Sequence, residues 1–451
     1  MSEFFGSVWW LIVTLGLLVT FHEFGHFIVA RLCGVKVLRF SVGFGKPLIS
    51  RFDRHGTEFV IAAIPLGGYV KMLEEREIEG VVGPEVLKQA HDRKPVGQRM
   101  AIAAAGPAFN LIFAVFAFWL MFVVGKPDYL PIVAAPTGVS ADAGIQAGDR
   151  ITEINGAAID SWSKAIQKLG ENAISRSDAT VQVISAKQQA STHTLAFSHL
   201  EADISENQLF DRIGLTLAPR ERPAEIGMVA DGKPAAAAGI KVGDRIVRIN
   251  SREVSSFADI ESIVPEEAAK NPHLSLLIER GGNQLDIGLD AIPLTAADGK
   301  SRFVIGIGSV NGYDATLRYG PLAAIPQAFS ETWDTTTSTL KFIKMLVVGK
   351  AGLENVSGVI TIARYANASA QMGFAWFLNF LALISLSLAI INLLPIPILD
   401  GGHLLYYLIE LIKGSPVSER SQIAGQYVGL MMLVALMGLA LYNDIFLRLL
   451  H

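Results

Sequence analysis

Four long apolar stretches constrain this chain more than any other feature of its sequence. They run over Phe4–Val29, Met100–Val124, Phe374–Leu399 and Ile423–Tyr442. Each has at least the roughly 20 residues that an α-helix needs to cross the hydrocarbon core of a bilayer. Hydrophobic residues make up 51% of the chain and charged residues 18%, whereas charged residues make up about a quarter of an ordinary soluble domain. The sequence therefore predicts an α-helical membrane protein with four transmembrane helices.

The distribution of Lys and Arg predicts the orientation of these helices. Both residue types are abundant in 32–99 and present in 400–422, whereas residues 1–8 contain neither. Cytoplasmic loops carry the excess of positive charge, so we expect these two loops inside. Both termini and the large segment 125–373 would then lie outside. The first apolar stretch carries ionisable residues that a cleaved signal peptide does not need, so we interpret it as a retained span.

Net charge and cysteine content exclude several classes of function. The formal net charge is −4, which gives no indication of a nucleic-acid partner. Cys33 is the single cysteine, so the chain forms no intrachain disulfide and no Cys-rich metal cluster.

The outer segment contains an internal repeat. The pattern A-G-I-x-x-G-D-R-I-x-x-I-N occurs at Ala143–Asn155 and again, 95 positions later, at Ala238–Asn250. Each copy predicts a short helix closed by glycine, a turn and a strand. The pattern resembles the PDZ domain in its bacterial, circularly permuted form, a family that binds extended peptides at a sheet edge. A pair of structural domains that bind no peptide remains the alternative.

Two further segments are predicted to adjoin the membrane. The stretches Val35–Val42 and Phe59–Ile64 are rich in β-branched and aromatic residues, which predicts a small membrane-associated inner β-loop. Residues Gly67, Gly68 and Tyr69 follow these strands, and we expect them at a sheet edge that can bind an extended peptide as an added strand. A simple anchoring role for this loop stays open. After the repeat, 320–348 predicts a long amphipathic helix.

The motif His22-Glu23-Phe24-Gly25-His26 is of the H-E-x-x-H type. Positions i and i+4 share one face of a helix, so both imidazoles can bind one metal ion. Glu23 is then placed to take a proton from the attacking water. Ionisable side chains inside a transmembrane helix are costly to bury, which favours a functional role.

A catalytic zinc site has three protein ligands, and Asp400 is the best candidate for the third. Pro395 and Pro397 must distort the end of the third span, which can direct Asp400 into the bundle at the depth of the two histidines. His403 is an alternative ligand. Two imidazoles and a carboxylate favour Zn²⁺, one ion per chain, over other divalent metals.

Together these residues resemble the site-2 protease family of intramembrane zinc metalloproteases, and within it the bacterial RseP type, the regulators of sigma-E protease. The resemblance covers nearly the whole chain. Its motifs are H-E-F-G-H, G-F-G and G-G-Y-V-K-M in the inner loop, A-A-G-P-x-x-N from Ala104 to Asn110, the tandem PDZ pattern, and N-x-x-P-x-P-x-L-D-G from Asn392 to Gly401.

The resemblance implies zinc held by His22, His26 and Asp400, with Glu23 as general base and Asn392 binding the substrate or polarising the scissile carbonyl. Asn392 can alternatively join two helices by a hydrogen bond. The implied substrates are single-span membrane proteins already trimmed outside, including an anti-sigma factor, and remnant signal peptides. The implied location is the bacterial inner membrane, with the active site near the cytoplasmic side.

The predicted domains follow from these assignments. They are the first transmembrane helix with H-E-x-x-H (1–33), the cytoplasmic β-loop region (34–98), the second transmembrane helix (99–125), PDZ domain 1 (126–219), PDZ domain 2 (220–310), the amphipathic region (311–372), the third transmembrane helix (373–400), a cytoplasmic loop (401–422) and the fourth transmembrane helix (423–446).

Two other functions compete with a protease as interpretations of the sequence. A transporter or channel with an intramembrane metal or proton site explains the ionisable residues. It explains neither the register of the H-E-x-x-H motif nor the position of the acid after P-x-P. A catalytically inactive PDZ scaffold leaves Glu23 without a purpose.

Overall fold

The computed structural model describes residues 2–75, 83–200, 211–218, 222–295, 301–310, 312–349, 352 and 356–447. Within these ranges the chain forms two compact units. The first contains the chain up to Lys126 and from Leu317 onward, and the second contains the chain between them.

Helices and strands follow one another along the described parts of the chain. The helices are α1 (Ser2–Leu32), α2 (Pro84–Leu87), α3 (Val96–Val124), α4 (Gly138–Asp142), α5 (Trp162–Ile174), α6 (Pro234–Ala237), α7 (Phe257–Lys270), α8 (Ala324–Val347), α9 (Val359–Met372), α10 (Phe374–Leu393), α11 (Asp400–Lys413) and α12 (Glu419–Tyr442). The strands are β1 (Val37–Phe52), β2 (Glu58–Met72), β3 (Lys126–Asp128), β4 (Arg150–Ile154), β5 (Ala157–Ala158), β6 (Ala179–Ile184), β7 (Ala190–Leu195), β8 (Ile226–Val229), β9 (Arg245–Ile249), β10 (Arg252–Glu253), β11 (His273–Arg280), β12 (Asn283–Asp290), β13 (Ile292–Thr295), β14 (Ser301–Val304), β15 (Ile307–Ser309) and β16 (Ala315–Leu317).

In the described chain, four helices are long and apolar enough to cross a membrane. Their apolar stretches are Phe4–Leu32, Val96–Val124, Phe374–Leu393 and Glu419–Phe446. These are the four helices that the hydropathy of the sequence predicts, with ends that differ by a few residues. The chain therefore combines membrane-type helices with sheet structure.

Helices α1, α3 and α10 pack around a shared core in the first unit. Leu18, Phe118 and Leu381 are at most 3% exposed there. Ala117 and Ala382 are also buried, and such small side chains let membrane helices approach closely. This packing fixes α3 against the face of α1 that carries the H-E-x-x-H motif.

The end of the third span differs from its predicted extent. Helix α10 ends at Leu393, two residues before Pro395, because proline cannot continue a helix without losing a hydrogen bond. Residues 401–422 were expected to form a loop, but α11 begins at Asp400 and ends where Gly414 adopts a φ of 76°. The apolar residues of α11 recur at helical spacing, a signal that the prediction of a loop overlooked. Helix α9 was likewise not predicted as a separate helix.

Strands β1 and β2 form the sheet predicted for the inner β-loop, the inner sheet. On one side, the segment Val37–Val42 pairs with Gly68–Met72, as in Ser41 opposite Tyr69. On its other side, the same segment pairs with the start of β2, as in Ser41 opposite Val60. The second half of β1 pairs with the start of β2, as in Ser50 opposite Val60. Leu48, Ile49 and Phe52 are at least 62% exposed. An exposed apolar hairpin of this kind fits contact with lipid.

The second unit repeats one arrangement. Its two four-stranded sheets have the orders β5-β4-β6-β7 and β10-β9-β11-β12, so equivalent strands occupy equivalent places. Asn155 and Asn250, the last residues of the repeated motif, have φ values of 51° and 53°. The side-chain oxygen of Asn155 accepts from Thr180 N at 2.8 Å, and that of Asn250 accepts from Ser275 N at 3.0 Å. Asparagine tolerates this left-handed turn, which explains why the motif ends on it.

Candidate metal centre

The two histidines of the H-E-x-x-H motif face each other on one side of α1. One helical turn separates His22 from His26, and their Nε2 atoms lie 3.3 Å apart. Side chains at i and i+4 share a face of a helix, so this geometry follows from the spacing in the sequence.

Asp400 reaches the same point from the start of α11. Its Oδ2 lies 3.1 Å from His22 Nε2, and its Oδ1 lies 3.5 Å from His26 Nε2. The two glycines that follow Asp400 explain how α11 can begin here. A Cβ on Gly401 would lie 2.2 Å from Leu394 O, and one on Gly402 would lie 2.4 Å from Ile396 O. Only glycine fits against the backbone of the 394–399 connection, and this close packing directs Asp400 towards α1.

Helix α3 covers the histidines from the other side. A Cβ on Gly106 would lie 2.3 Å from His26 Nε2, so this position has no room for a side chain. His26 Nδ1–H donates to the carbonyl oxygen of Ile102 at 2.7 Å. The side-chain amide of Asn110 lies 3.2 Å from His22 Nδ1. Gly106 and Asn110 both belong to the motif A-A-G-P-x-x-N, which is the signal in the sequence that points to them, although the sequence alone assigns them no role.

The three donor groups fit a zinc ion. Tetrahedral zinc with ligands at 2.0–2.1 Å places its donor atoms about 3.3 Å apart, and the distances among His22, His26 and Asp400 are 3.1–3.5 Å. Asp400 Oδ2 is buried without forming a hydrogen bond. A buried carboxylate whose two oxygens lie against two imidazole nitrogens is costly unless a cation is shared among these groups. Within the described residues, this is the cluster of His, Cys, Asp or Glu that could hold a metal ion.

Glu23 lies beside the histidines and against the inner sheet. A Cβ on Gly68 would lie 3.2 Å from Glu23 Cγ, and the backbone amide of Val70 interacts with the Glu23 carboxylate. The histidines, Glu23 and Asp400 line a cavity of about 1130 Å³. This cavity gives the carboxylate access to water and to a bound peptide.

The remaining predicted residues occupy different positions around this cavity. Tyr69 lines it, stacks on Phe44 and accepts a hydrogen bond from Arg39 at 3.2 Å. Gly67 has a φ of 107°, and a Cβ there would lie 2.2 Å from the Phe44 ring. Both the backbone conformation and the lack of space therefore require glycine at this position. Asn392 is half-buried in the last turn of α10 and is not among the described residues that line the cavity.

His403 lies one turn along α11 from Asp400 and also lines the cavity. It does not belong to the group of donor atoms that lie within 4.8 Å of one another. Partial desolvation by the surrounding protein lowers the pKa of its imidazole. Pro395 and Pro397 lie in the non-helical connection between α10 and α11.

Comparison with known proteins gives matches along nearly the whole chain. A family model described as peptidase family M50 matches residues 10–436. A putative zinc metalloprotease of Xylella fastidiosa (strain 9a5c) is 47% identical over 450 residues, 99% of this chain and 100% of the relative. The regulator of sigma-E protease RseP of Escherichia coli (strain K12) is 41% identical over 445 residues, 96% of this chain and 97% of the relative. Protease RseP of Yersinia pestis is 40% identical over 446 residues, with the same coverage.

Proposed function

The chain belongs to peptidase family M50, and from that premise we propose which of its residues carry out the reaction. It is an intramembrane zinc metalloprotease of the inner membrane that acts on membrane substrates. His22, His26 and Asp400 hold one zinc ion, and Glu23 is the general base. The observation that carries this proposal is the convergence of two imidazoles and one carboxylate on one point between α1 and α11.

The residues around the centre divide the chemistry of peptide hydrolysis. Bound zinc supplies a Lewis acid that polarises a carbonyl oxygen and makes water easier to deprotonate. Glu23 takes the proton of the attacking water as the new C–O bond forms. It then gives this proton to the leaving nitrogen as the C–N bond breaks. Gly68 and the Val70 amide keep the Glu23 carboxylate in place at the cavity wall.

The edge of the inner sheet holds the substrate in an extended form. A peptide bond inside a transmembrane helix is shielded by the hydrogen bonds of that helix, so the segment must unwind before hydrolysis. Among the described strands, Gly68–Met72 pairs on one side only, with Val37–Val42. Tyr69, Val70 and Met72 line the cavity that contains Glu23. Strand addition at this edge brings the scissile bond to the catalytic residues, with Gly67, Gly68 and Tyr69 forming the binding segment.

The outer side of this edge carries backbone N–H donors at alternate residues. Leu73 N donates to Lys36 O, within the pairing with β1. N–H groups alternate along a strand, so those of Met72 and Val70 point away from β1. The interaction of the Val70 amide with Glu23 agrees with this direction. Met72 therefore directs an N–H donor to the outer side of the edge, two residues from the Val70 amide that interacts with Glu23.

Asn392 contributes to substrate binding from the last turn of α10. Its half-buried side chain precedes the non-helical connection that leads to Asp400. The side-chain amide has two donors and an acceptor, which suit the backbone of an extended peptide or the scissile carbonyl. A hydrogen bond between helices is the competing role.

The second unit, which contains the repeat, selects substrates by size. Its two repeated sheets support the assignment of two PDZ domains, over 126–219 and 220–310. With both termini and these domains in the periplasm, they exclude proteins whose outer part has not been trimmed. The E. coli relative is named a regulator of sigma-E protease. By analogy, the substrates of this chain include an anti-sigma factor, together with remnant signal peptides.

Cleavage of a tagged single-span substrate by purified protein tests this function. Wild-type protein should cleave the substrate inside its apolar segment, whereas Glu23→Gln should bind zinc equally and cleave nothing, because an amide cannot accept the proton. Cleavage near the wild-type rate by Glu23→Gln would contradict the role of Glu23. A wild-type protein that binds zinc but leaves the substrate intact would favour the scaffold or the transporter.

A further inference from the structure

Asn110 stands out as a polar residue at the centre of the membrane-type core. It is 0% exposed on α3, and its side-chain amide lies 3.2 Å from His22 Nδ1. Within the described part of the chain, its Oδ1 is buried and forms no hydrogen bond. Burying a side-chain amide in an apolar core costs free energy unless the amide forms a hydrogen bond, and the imidazole of His22 is the neighbouring partner.

The protonation of His22 connects this amide to the metal centre. A neutral imidazole carries one proton, and the nitrogen that binds a metal must be the other one. His22 Nε2 faces His26 and Asp400, so the proton has to reside on Nδ1. An amide N–H directed at Nδ1 would favour the opposite tautomer, whereas an amide oxygen accepts from Nδ1–H. The two ends of the amide have the same shape, so Asn110 can present its oxygen in the same space.

The second histidine already has such a partner. His26 Nδ1 lies 2.7 Å from the carbonyl oxygen of Ile102, which can only accept a hydrogen bond. Because this hydrogen bond places the proton on Nδ1, the Nε2 atom of neutral His26 carries no proton and can bind a metal ion. A matching acceptor for His22 would orient both rings from the same helix, α3.

We propose that Asn110 is a positioning residue, which accepts a hydrogen bond from His22 Nδ1–H through Oδ1 and holds His22 in the tautomer that binds zinc through Nε2. This inference rests on the proposed role of His22 as a zinc ligand.

Ser385 offers a control for simple packing. Its hydroxyl donates to the backbone oxygen of Asn110 at 2.8 Å, and it is 0% exposed. Ser385→Ala therefore removes a contact between α10 and α3 at the same residue without changing the side-chain amide.

Competition between the full-length protein and a zinc chelator tests the proposal. Asn110→Leu, which keeps the bulk but has no acceptor, should bind zinc about 10- to 100-fold more weakly, as expected for loss of an outer-shell partner. Asn110→Asp, which has the same shape and only acceptors, should bind zinc at least as tightly as the wild type. Ser385→Ala should match the wild type. In cobalt-loaded protein, Asn110→Asp should retain the visible absorption of a tetrahedral site.

The contrary outcomes are distinct. Wild-type affinity in Asn110→Leu, or an equal loss in Ser385→Ala, would overturn the proposal. If Asn110→Leu does not fold, weaker zinc binding by folded Asn110→Asp would overturn it instead. His22→Ala distinguishes failure of the proposed zinc centre from failure of the proposed role of Asn110. Zinc affinity unchanged in His22→Ala contradicts the proposed function itself, whereas affinity lost in His22→Ala and kept in Asn110→Leu contradicts only the role of Asn110.

Discussion

Asp400 Oδ2 lies 3.1 Å from His22 Nε2, which joins the first residue of α11 to the first membrane-type helix. The contact depends on backbone packing. Helix α10 stops before Pro395, and the chain turns so closely that Gly401 and Gly402 have no room for a Cβ. The sequence L-D-G-G is thus part of the site because it permits a helix to start against its own preceding loop.

Gly106→Ala should disturb the centre without changing any donor group. The added methyl would lie 2.3 Å from His26 Nε2, so either the ring or α3 must move. We expect loss of zinc and of cleavage. Gly16→Ala in α1 is the control, because a Cβ there meets nothing within 4 Å. Full zinc content and cleavage in Gly106→Ala would show that α3 is not packed on the histidines as described.

The residues of α3 also show the limit of prediction from sequence. The apolar stretches predicted the membrane-type helices, and the two motifs predicted that His22, His26 and Asp400 lie together. No local sequence pattern predicts which helix packs against His22 and His26, because that contact depends on the tertiary structure. Gly106 and Asn110 therefore received no role. The start of α11 was missed for a related reason, since an acid after two prolines is typical of a loop.

Met72→Pro should weaken cleavage of helical substrates. The substitution removes an N–H that points away from β1 and so costs the strand no ladder bond. Met72→Ala is the matched control, because it shortens the same side chain but keeps the donor. We expect a larger loss for proline, and a smaller loss on a substrate whose span is already loosened by glycine. Equal losses for proline and alanine, at equal zinc content, would leave the inner sheet as an anchor.

Cysteine labelling tests the orientation in the membrane. In a Cys33→Ser background, a cysteine at the exposed position Gln284 should react with an impermeant thiol reagent added to spheroplasts. A cysteine at the exposed position Lys413, between the last two apolar helices, should react only after permeabilisation. The reversed pattern would place the metal centre near the opposite membrane face.

Asp244 should make the second copy of the repeat sensitive to acid. Asp244 is buried, and the hydrogen bonds from Arg280 hold its pKa below its usual value. A folded pKa below the unfolded value stabilises the fold at neutral pH, and this contribution declines as the pH falls below about 3.9. Asp149, at the matched position, accepts from Gln146 N at 2.8 Å.

Hydrogen exchange of the full-length protein measures the difference. Asp244→Asn should lower the stability of Ile226–Asp290 by roughly 2 kcal/mol at pH 7, the scale of hydrogen bonds to a charged group. We expect a smaller effect from Asp149→Asn on its own copy, and the effect of Asp244→Asn should decline as the pH falls below about 3.9. Equal effects of the two substitutions at pH 7 would contradict the stabilising role of Arg280.

The zinc content of purified full-length protein tests the proposed centre most directly, in the wild type and in two variants of α11. Asp400→Ala removes a proposed ligand, whereas His403→Ala removes the neighbouring imidazole that also lines the cavity. We predict one zinc ion per chain in the wild type and in His403→Ala, and loss of tightly bound zinc in folded Asp400→Ala. Full zinc occupancy in Asp400→Ala together with loss of zinc in His403→Ala would contradict the assignment of His22, His26 and Asp400 as the metal centre.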